Sequence, residues 1–540
     1  GSMSTINEGG LRPGDDPGSA FDASLTSSSG GLAKDTNWWG AFVIGLSGTI
    51  LVTGIAPFAV LVMGAASIPY FIGVTAMGVV LCFCLAELAA SMPDRTGGLP
   101  SYAFETFQPL GRGIAKHLGG LSAWGYWLGW FTVTPINAIL ASGYIADLFG
   151  IPLGNEINLP GDFSLPITTT KLLIAAVLML GLFIPCWLGI RLGAGFATVL
   201  GVAAIVPLTL VALLGFLKPS TLDWDNVSGF ALPEGTTGSL GFYMAWIFIM
   251  TWSVLAMEAA ACYIGECREP ARDAKIAMTA EGIYGFFIYV MIPVMFVAVL
   301  GSVDGFDPLT VFTDFAEAVF GTGSWVRWFI GLTLIVALML SVLNSLMGCA
   351  RALYQNSEDG LLPRFFGKVN VHQVPSSALI FNLVCSFVLV FLGSPLEIYI
   401  FSNMGYLFAV ALSLLGYFVY RTRRPEAPRP VKMPAFMAPL ALVIGVFFLF
   451  AWGYGGFYAS DFVVAGNKRW LFFLGLFLLA LYVPLYYWRQ SEDRRHLGGR
   501  TTSDIRSEEI DARDTGGAAA PADRQPVAGQ TRMERTDRIE

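Results

Sequence analysis

Glu258 is the one charged residue in the run from Leu240 to Gly265. About 20 apolar residues cross the hydrocarbon core of a bilayer, and this run is long enough. A carboxylate at that depth costs roughly 2.5–3.5 kcal/mol on insertion scales, so it normally faces a polar cavity or a partner. Three roles are open to it: binding and releasing a proton, staying ionised to hold a polar network near a gate, or bonding neighbouring helices as a purely structural group. Thr251, Trp252 and Ser253 stand one to two turns before it. The two hydroxyls can satisfy backbone groups freed by a helix break, and Trp252 is either a gate over a substrate or a packing aromatic.

A second candidate lies in the first apolar run, Gly45-Leu46-Ser47-Gly48-Thr49-Ile50-Leu51-Val52-Thr53-Gly54-Ile55-Ala56-Pro57. Glycine weakens a helix, and Pro57 lacks a donor and blocks the bond to residue 53. A break near Val52–Ala56 would expose amides at the positive end of the following half-helix, and those suit a carboxylate. A simple proline kink with small residues for close packing is the competing reading. Enzyme chemistry finds no footing: no nucleophile–base pair stands out, and the three histidines have no metal-ligand spacing. No metal or other cofactor is implied. Cys82-Phe83-Cys84 points its thiols to different helix faces, and none of the seven cysteines falls in an expected external loop, so structural disulfides are not expected.

The elements that must position these groups are membrane helices. The chain is 55% hydrophobic and only 13% charged, against about 25% charged in average globular chains. Mean hydropathy is +0.63. Apolar runs between charges and Pro/Gly turns predict twelve spans: 39–64, 68–91, 119–148, 170–188, 194–217, 239–265, 276–301, 326–355, 376–393, 397–420, 435–458 and 469–488. An even count places both termini on one side. The loops on that side hold most of the bases, including Arg95, Arg112, Lys116, Arg191, Arg268, Arg272, Arg364, Arg421 and Arg429; the other side carries acids such as Asp223, Asp225, Asp304 and Asp307. By the positive-inside rule both termini are cytoplasmic. Gly1-Ser2-Met3 reads as a cloning scar at the head of a disordered tail over residues 1–38, and the membrane core covers 39–489. Residues 490–540 read as a second disordered cytoplasmic tail, with a short amphipathic helix around Ile505–Arg513 as the alternative. The longest external loops are 149–169, 218–238 and 302–325, and Ser101–Phe107 is a candidate helix between the second and third spans. No nucleic-acid footprint is present.

Several motifs, in order, resemble the amino acid–polyamine–organocation transporter superfamily over roughly residues 40–435, in particular its bacterial amino acid permeases. Thr53-Gly54-Ile55 is similar to the G-[ST]-G-I break of the first helix, with Val52 in place of the first glycine. Ala86-Glu87-Leu88, Pro93 and Gly97-Gly98 resemble the A-E-L…P…G-G run. Trp252-Ser253…Glu258 resembles W-S-F-x-G-x-E, with Ala256 for glycine, and Glu266…Pro270 resembles E-x-x-x-P. Arg351-Ala352-Leu353-Tyr354 with Asp359-Gly360-Leu361-Leu362-Pro363 resembles R-x-L-Y…D-G-x-x-P. Arg429-Pro430…Pro434 resembles R-P-x-x-x-P.

The resemblance implies an all-α polytopic protein with a five-plus-five inverted repeat, discontinuous helices 1 and 6, and two added helices. It implies a secondary transporter, permease or exchanger, of an amino acid or related small amine working by alternating access at the cell membrane. Substrate would meet Val52, Thr53, Gly54 and Ile55 with its carboxylate and Thr251, Trp252 and Ser253 with its ammonium. Ser345 would lie in the pocket, where a related exchanger subgroup has a second Trp. Trp252 and Glu258 would be gating or proton-linked. Glu87, Glu281 and Arg351 are expected to anchor loops or pair at a gate. The fifth run, Gly193–Leu217, lacks the lysine of proton-coupled relatives, and Ser341 and Ser345 are weak signals for sodium. With Glu258 the lone pocket acid, a neutral side chain is favoured over a cationic one. The partners are thus a small-molecule substrate, the bilayer and a coupling proton; oligomeric state is open. The alternatives are a substrate-binding sensor that keeps the fold, a heteromeric exchanger chain (disfavoured by the absence of a Cys in 149–169), and a twelve-helix facilitator of the major facilitator type. Asp94-Arg95-Thr96-Gly97 fits that last pattern only in part.

Overall fold

The computed structural model describes residues 36–516 apart from 161–162, 190–193, 302–304, 309, 393–394 and 465. The expectations placed on the first 35 residues, residues 517–540, Arg191 and Asp304 fall outside the described residues. Among the described residues the architecture is all-α save one hairpin, β1 (Glu156–Leu159) antiparallel to β2 (Phe163–Thr168), within the 149–169 loop. Helix occupies each of the twelve expected ranges. Eight helices among the described residues are long and apolar enough to cross a membrane, the 54-residue run Trp38–Ser91 being taken as one; Gly201–Leu217 and Ser376–Leu389 are shorter apolar helices. Such helices are apolar around their whole circumference, so lipid and protein neighbours share their surface.

The first expected span is two helices, α1 (Trp38–Thr49) and α2 (Val52–Met63), joined at Ile50–Leu51. Asn37 caps α1 by accepting the Gly40 N–H (3.0 Å). The break therefore falls two residues before the expected Val52–Ala56, and Pro57 sits inside α2. After α3 (Ser67–Ser91), the third expected span also divides, into α4 (Arg112–Trp130) and α5 (Val133–Phe149). Nothing in the sequence reading foresaw that junction. Pro135, in the first turn of α5, has no N–H to continue the α4 ladder. Next come α6 (Thr169–Leu188) and α7 (Ala194–Leu217).

The sixth expected span is α8 (Leu240–Val254) followed by twelve residues of 3₁₀ helix, Leu255–Glu266. Such tight helix rarely runs beyond 3–4 residues, and within a longer helix it often marks a hinge or strain. The discontinuity is a change of winding at Leu255 rather than the break expected at Thr251–Ser253. Neighbours hold the backbone groups that an α-helix would pair internally. Glu281 accepts the Ala260 N–H (2.9 Å), while the Cys262 carbonyl accepts from Gly97 N and Thr96 Oγ1 (both 3.2 Å). All twelve residues of the segment are buried.

Beyond it lie α9 (Pro270–Leu300), α10 (Val311–Phe320), α11 (Trp325–Glu358), α12 (Ser376–Leu389) and α13 (Pro395–Arg423). Then follow α14 (Met437–Phe450), with a π-helical turn at Ala451–Gly455 leading into α15 (Gly456–Phe462), α16 (Trp470–Ala480) and α17 (Tyr482–Leu497). The C-terminal expectation is corrected here. Residues from 490 are helical through α17, and α18 (Thr502–Thr515) packs back on the bundle, so a disordered tail does not begin at 490. Charge and capping explain the docking. Arg513 pairs with Glu105 (2.6 Å), Lys116 with Asp504 (2.7 Å) and Arg424 with Asp511 (2.8 Å), while the Thr502 amide donates to Asp493 (3.0 Å). The Ile505–Arg513 alternative is thus the one observed. Ser101–Phe107 is largely helical, as Leu99–Tyr102 and Ala103–Thr106.

Candidate functional site

The two discontinuities meet. Gly48 of α1 lies so close to the 3₁₀ segment that a Cβ there would overlap the Ala256 carbonyl. Ser253 Oγ, at the end of α8, donates to the Leu51 carbonyl in the α1–α2 junction (2.9 Å). Tyr289 of α9 closes the contact from a third side: its hydroxyl oxygen is 2.8 Å from the Gly48 carbonyl and 2.7 Å from that of Ser253. Glycine and serine permit the approach, and the phenol fastens it.

At the start of α2, the Thr53 and Gly54 amides donate to the Ile50 and Leu51 carbonyls (both 3.0 Å), and Thr53 Oγ1 also donates to Ile50 (2.8 Å). The expected nest of free amides is therefore not open in this conformation: a tight turn has folded two of its donors onto the preceding carbonyls. Val52, Thr53, Gly54 and Ile55 are all buried. The Gly54 carbonyl accepts the Tyr399 hydroxyl (3.1 Å), and a Cβ on Gly54 would lie 2.6 Å from that oxygen. Tyr399, on α13, stacks on Trp252 with centroids 4.4 Å apart. Trp252 Nε1 donates to the Gly129 carbonyl just before the α4–α5 junction (3.1 Å). Trp252 thus joins α8 to α4 directly and to α2 through Tyr399. Thr251 Oγ1 donates to Phe248 O (2.6 Å) and accepts from Asn403 Nδ2 (3.1 Å).

Glu258 is fully buried in the 3₁₀ segment. It accepts from the Tyr126 hydroxyl (3.0 and 3.1 Å), the Trp130 indole (3.3 Å) and the Tyr406 hydroxyl (2.9 Å). All three donors are neutral, so the carboxylate is held by hydrogen bonds and no cation of the described residues lies within ion-pair distance. Ser345 is placed differently from the other candidates. Its hydroxyl meets Thr134 of α5 (2.6 Å) and donates to Val342 O (2.9 Å). The α11 hydroxyl that reaches α1 is Ser341, which donates to the Ser47 carbonyl (3.1 Å) and accepts from Asn137 (2.6 Å).

Sequence reasoning missed Tyr126, Trp130, Tyr289, Tyr399, Asn403 and Tyr406. One signal was available: Tyr399, Asn403 and Tyr406 follow the i, i+4, i+7 spacing of one helix face, and Tyr126 and Trp130 are four apart. Polar groups on one face of an apolar helix predict a polar contact, though not its partner.

The motifs converge at the arginine-rich end of the bundle. Arg351 forks onto Glu266 (2.6 and 2.9 Å), joining α11 to the end of the 3₁₀ segment. Arg95 bridges Glu105 (3.2 Å) and Asp359. Glu87 takes Arg421 and the Met433 amide (each 2.7 Å), with Arg429 at 3.7 Å. Gly97 and Gly98, at φ +94° and +73°, thread between these elements, and a Cβ on either would meet the backbone of Ala352 or Cys262 at 2.8 Å. Among the described residues no cluster of three His, Cys, Asp or Glu is placed to hold a metal.

The chain is 26% identical over 321 residues to an arginine/ornithine antiporter of Pseudomonas aeruginosa, covering 58% of this chain and 61% of that protein. It is 25% identical over 412 residues to solute carrier family 7 member 12 of Mus musculus, covering 73% and 81%. It is 23% identical over 417 residues to the b(0,+)-type amino acid transporter 1 of the same species, covering 75% and 80%. It therefore spans about three fifths of the bacterial antiporter and about four fifths of the mouse proteins. The family model described as amino acid permease matches residues 37–483, which hold both discontinuities and every group of the site. The chain belongs to the amino acid permease family.

Proposed function

We propose that this protein is a secondary transporter of an amino acid or related small amine, working by alternating access in the cell membrane. The observation that carries the reading is the meeting of the α1–α2 junction with the α8–3₁₀ junction under Trp252, with a buried acid, Glu258, a turn beyond. A zwitterion needs donors for its carboxylate and acceptors for its ammonium, and these two backbone ends supply both without buried side-chain ions. The carboxylate would take the Val52–Ile55 amides, displacing the turn bonds of Thr53 and Gly54; the ammonium would take carbonyls at Thr251–Ser253. In the packed state the Thr53 and Gly54 amides are held by the Ile50 and Leu51 carbonyls and the Ser253 carbonyl by Tyr289, so substrate exchanges bonds rather than filling unsatisfied ones. Trp252 would gate, Glu258 would carry a coupling proton or hold the gate, and Ser345 would tune the pocket through Thr134 and α5. The arrangement fits twelve crossings with a five-plus-five repeat and cytoplasmic termini, in which case the Arg351–Glu266 and Arg95–Asp359 pairs close the cytoplasmic path.

A neutral side chain is favoured because Glu258 already accepts from three donors and is not free to balance a cation. The relatives favour a second reading, a cationic substrate: their names include arginine/ornithine antiporters, a lysine transport protein and a polyamine transporter. Proteoliposomes decide between them. Uptake of neutral and basic amino acids and amines, measured with and without internal substrate and a pH gradient, should show saturable, counterflow-stimulated entry of one class. Entry of none would overturn the transport reading and leave a binding-only sensor.

A further inference from the structure

Glu281 of α9 is completely buried, like Glu258, yet among the described residues it belongs to no ion pair. Its Oε2 accepts the Ala260 N–H of the 3₁₀ segment at 2.9 Å, whereas its Oε1 has no donor. A Cβ built on Gly45 would stand 2.6 Å from both oxygens, so the carboxyl group lies flat against the bare backbone of α1. It is a wedge between α1 and the 3₁₀ segment, the two elements whose junctions form the candidate site.

The charges around it are one-sided. The ionisable groups nearest to it are Glu258 from the 3₁₀ segment, Cys82 from α3 and Tyr289 on its own helix. The other elements packed on α9, namely α1, α2, α7, α10 and the short turns Gly64–Ala66 and Trp224–Asn226, contribute no basic residue, and neither do α3 or the 3₁₀ segment; the bases of α9 itself, Arg272 and Lys275, stand in its first two turns. A buried carboxylate is normally balanced by a cation or by a full set of donors, and this one has neither among the described residues. A carboxylic acid would carry no unbalanced charge, and its Oε2 could go on accepting from Ala260.

We propose that Glu281 is a second proton-binding site of the transport cycle, loaded while α1, the 3₁₀ segment and α9 are packed together and emptied when α1 or the 3₁₀ segment moves away. The proton leaves to water admitted by that movement; no other bond is made or broken. The inference rests on the transport reading above and adds to it a ligand, a proton, at a site outside the substrate pocket.

The experiment uses the full chain in proteoliposomes with the substrate found in the uptake panel. A gradient of one pH unit is a tenfold difference in proton activity, so each coupled proton raises steady-state accumulation by up to about tenfold. Glu281→Gln keeps an acceptor for Ala260 but cannot release a proton. It is expected to lose about one such factor of ten in gradient-driven accumulation while counterflow without a gradient falls far less. Equal accumulation and an unchanged pH profile in E281Q would overturn the proposal and leave Glu281 a backbone acceptor. If E281Q loses both activities, Glu281→Asp, which keeps a carboxyl able to take and release a proton, is measured instead: recovery of gradient-driven accumulation together with counterflow supports the proposal, and any other result overturns it. Wild-type protein without counterflow overturns the transport reading, and this inference with it.

Discussion

The phenol of Tyr289 offers the sharpest test of how the two broken helices are held. Tyr289→Phe removes one oxygen and leaves the ring in place. That oxygen lies 2.8 Å from the Gly48 carbonyl and 2.7 Å from the Ser253 carbonyl, so one proton serves both ends of the joint. Losing a buried partner costs about 1–3 kcal/mol. Each carbonyl keeps another donor, the Leu51 amide at Gly48 and the Leu255 amide at Ser253, so the low end applies, about 1–1.5 kcal/mol. Because the bonds exist only when the elements are packed, the cost falls on that state and shifts the balance toward the opened one by roughly five- to twelvefold. Hydrogen exchange in nanodiscs reads this directly: amides of peptides covering 45–56 and 250–258 should exchange faster by that factor in Y289F, and those of α6 and α16 should not. Rates within about twofold of wild type at the joint, or uniform acceleration throughout, would refute the reasoning, since either would show that the hydroxyl does not fasten this contact in particular.

Other outcomes follow from the same geometry. Gly54→Leu should abolish substrate-induced thermal stabilisation, because even its Cβ would stand 2.6 Å from the Tyr399 oxygen; retained affinity would remove the start of α2 from the site. Trp252→Ala should slow exchange while membrane insertion stays normal, since it deletes the stack on Tyr399 and the bond to Gly129; normal flux would deny Trp252 a gating role. Arg513→Glu sets two acids together at Glu105 and should undock α18, seen as faster proteolysis near Gly498–Thr501; an unchanged cleavage rate would mean that the other ion pairs suffice. The docking also has a pH dependence. Burial raises the Glu105 carboxyl, but Arg513 and Arg95 outweigh it and hold the group below the ordinary carboxylate range. Asp504, likewise opposed by burial, is held low by Lys116 and Thr501. A lowered carboxylate stabilises the docked form above its unfolded value and loses that contribution as pH falls through the folded one. Protection of the α18 amides should therefore decrease on acidification below about pH 4 and stay level between about pH 6 and 8. A loss confined to the neutral range would contradict this assignment.

Composition and apolar run length were enough to predict a helical membrane protein, because burial in lipid leaves few other ways to satisfy the backbone. Glu258 and Trp252 were legible for a related reason: a charge, or a Trp beside hydroxyls, is conspicuous in an apolar span. The gate pairs were half legible. Glu87, Arg351 and Asp359 stood out singly, but that Arg351 meets Glu266 and Arg95 meets Asp359 depends on segments 85 and 264 residues apart. The helix breaks were located only to within a few residues. The sequence marks weak points through Gly and Pro, but the winding settles where neighbours take the backbone bonds. Hence the first break moved to Ile50–Leu51 and the sixth became a 3₁₀ segment held by Glu281, Thr96 and Gly97.

The C-terminal segment shows the limit from the other side. Its composition is polar and reads as a tail, since nothing in 490–516 buries a long apolar face. It folds because Glu105, Lys116 and Arg424 lie where its charges can reach them, and those positions exist only once the bundle has assembled. The same holds for Tyr126, Trp130 and Tyr406 around Glu258. The sequence by itself determined that a buried acid needed partners, since the cost of a charge in hydrocarbon is a local property. Which partners it has, and that they are neutral donors rather than a cation, was decided by helices distant in sequence coming together.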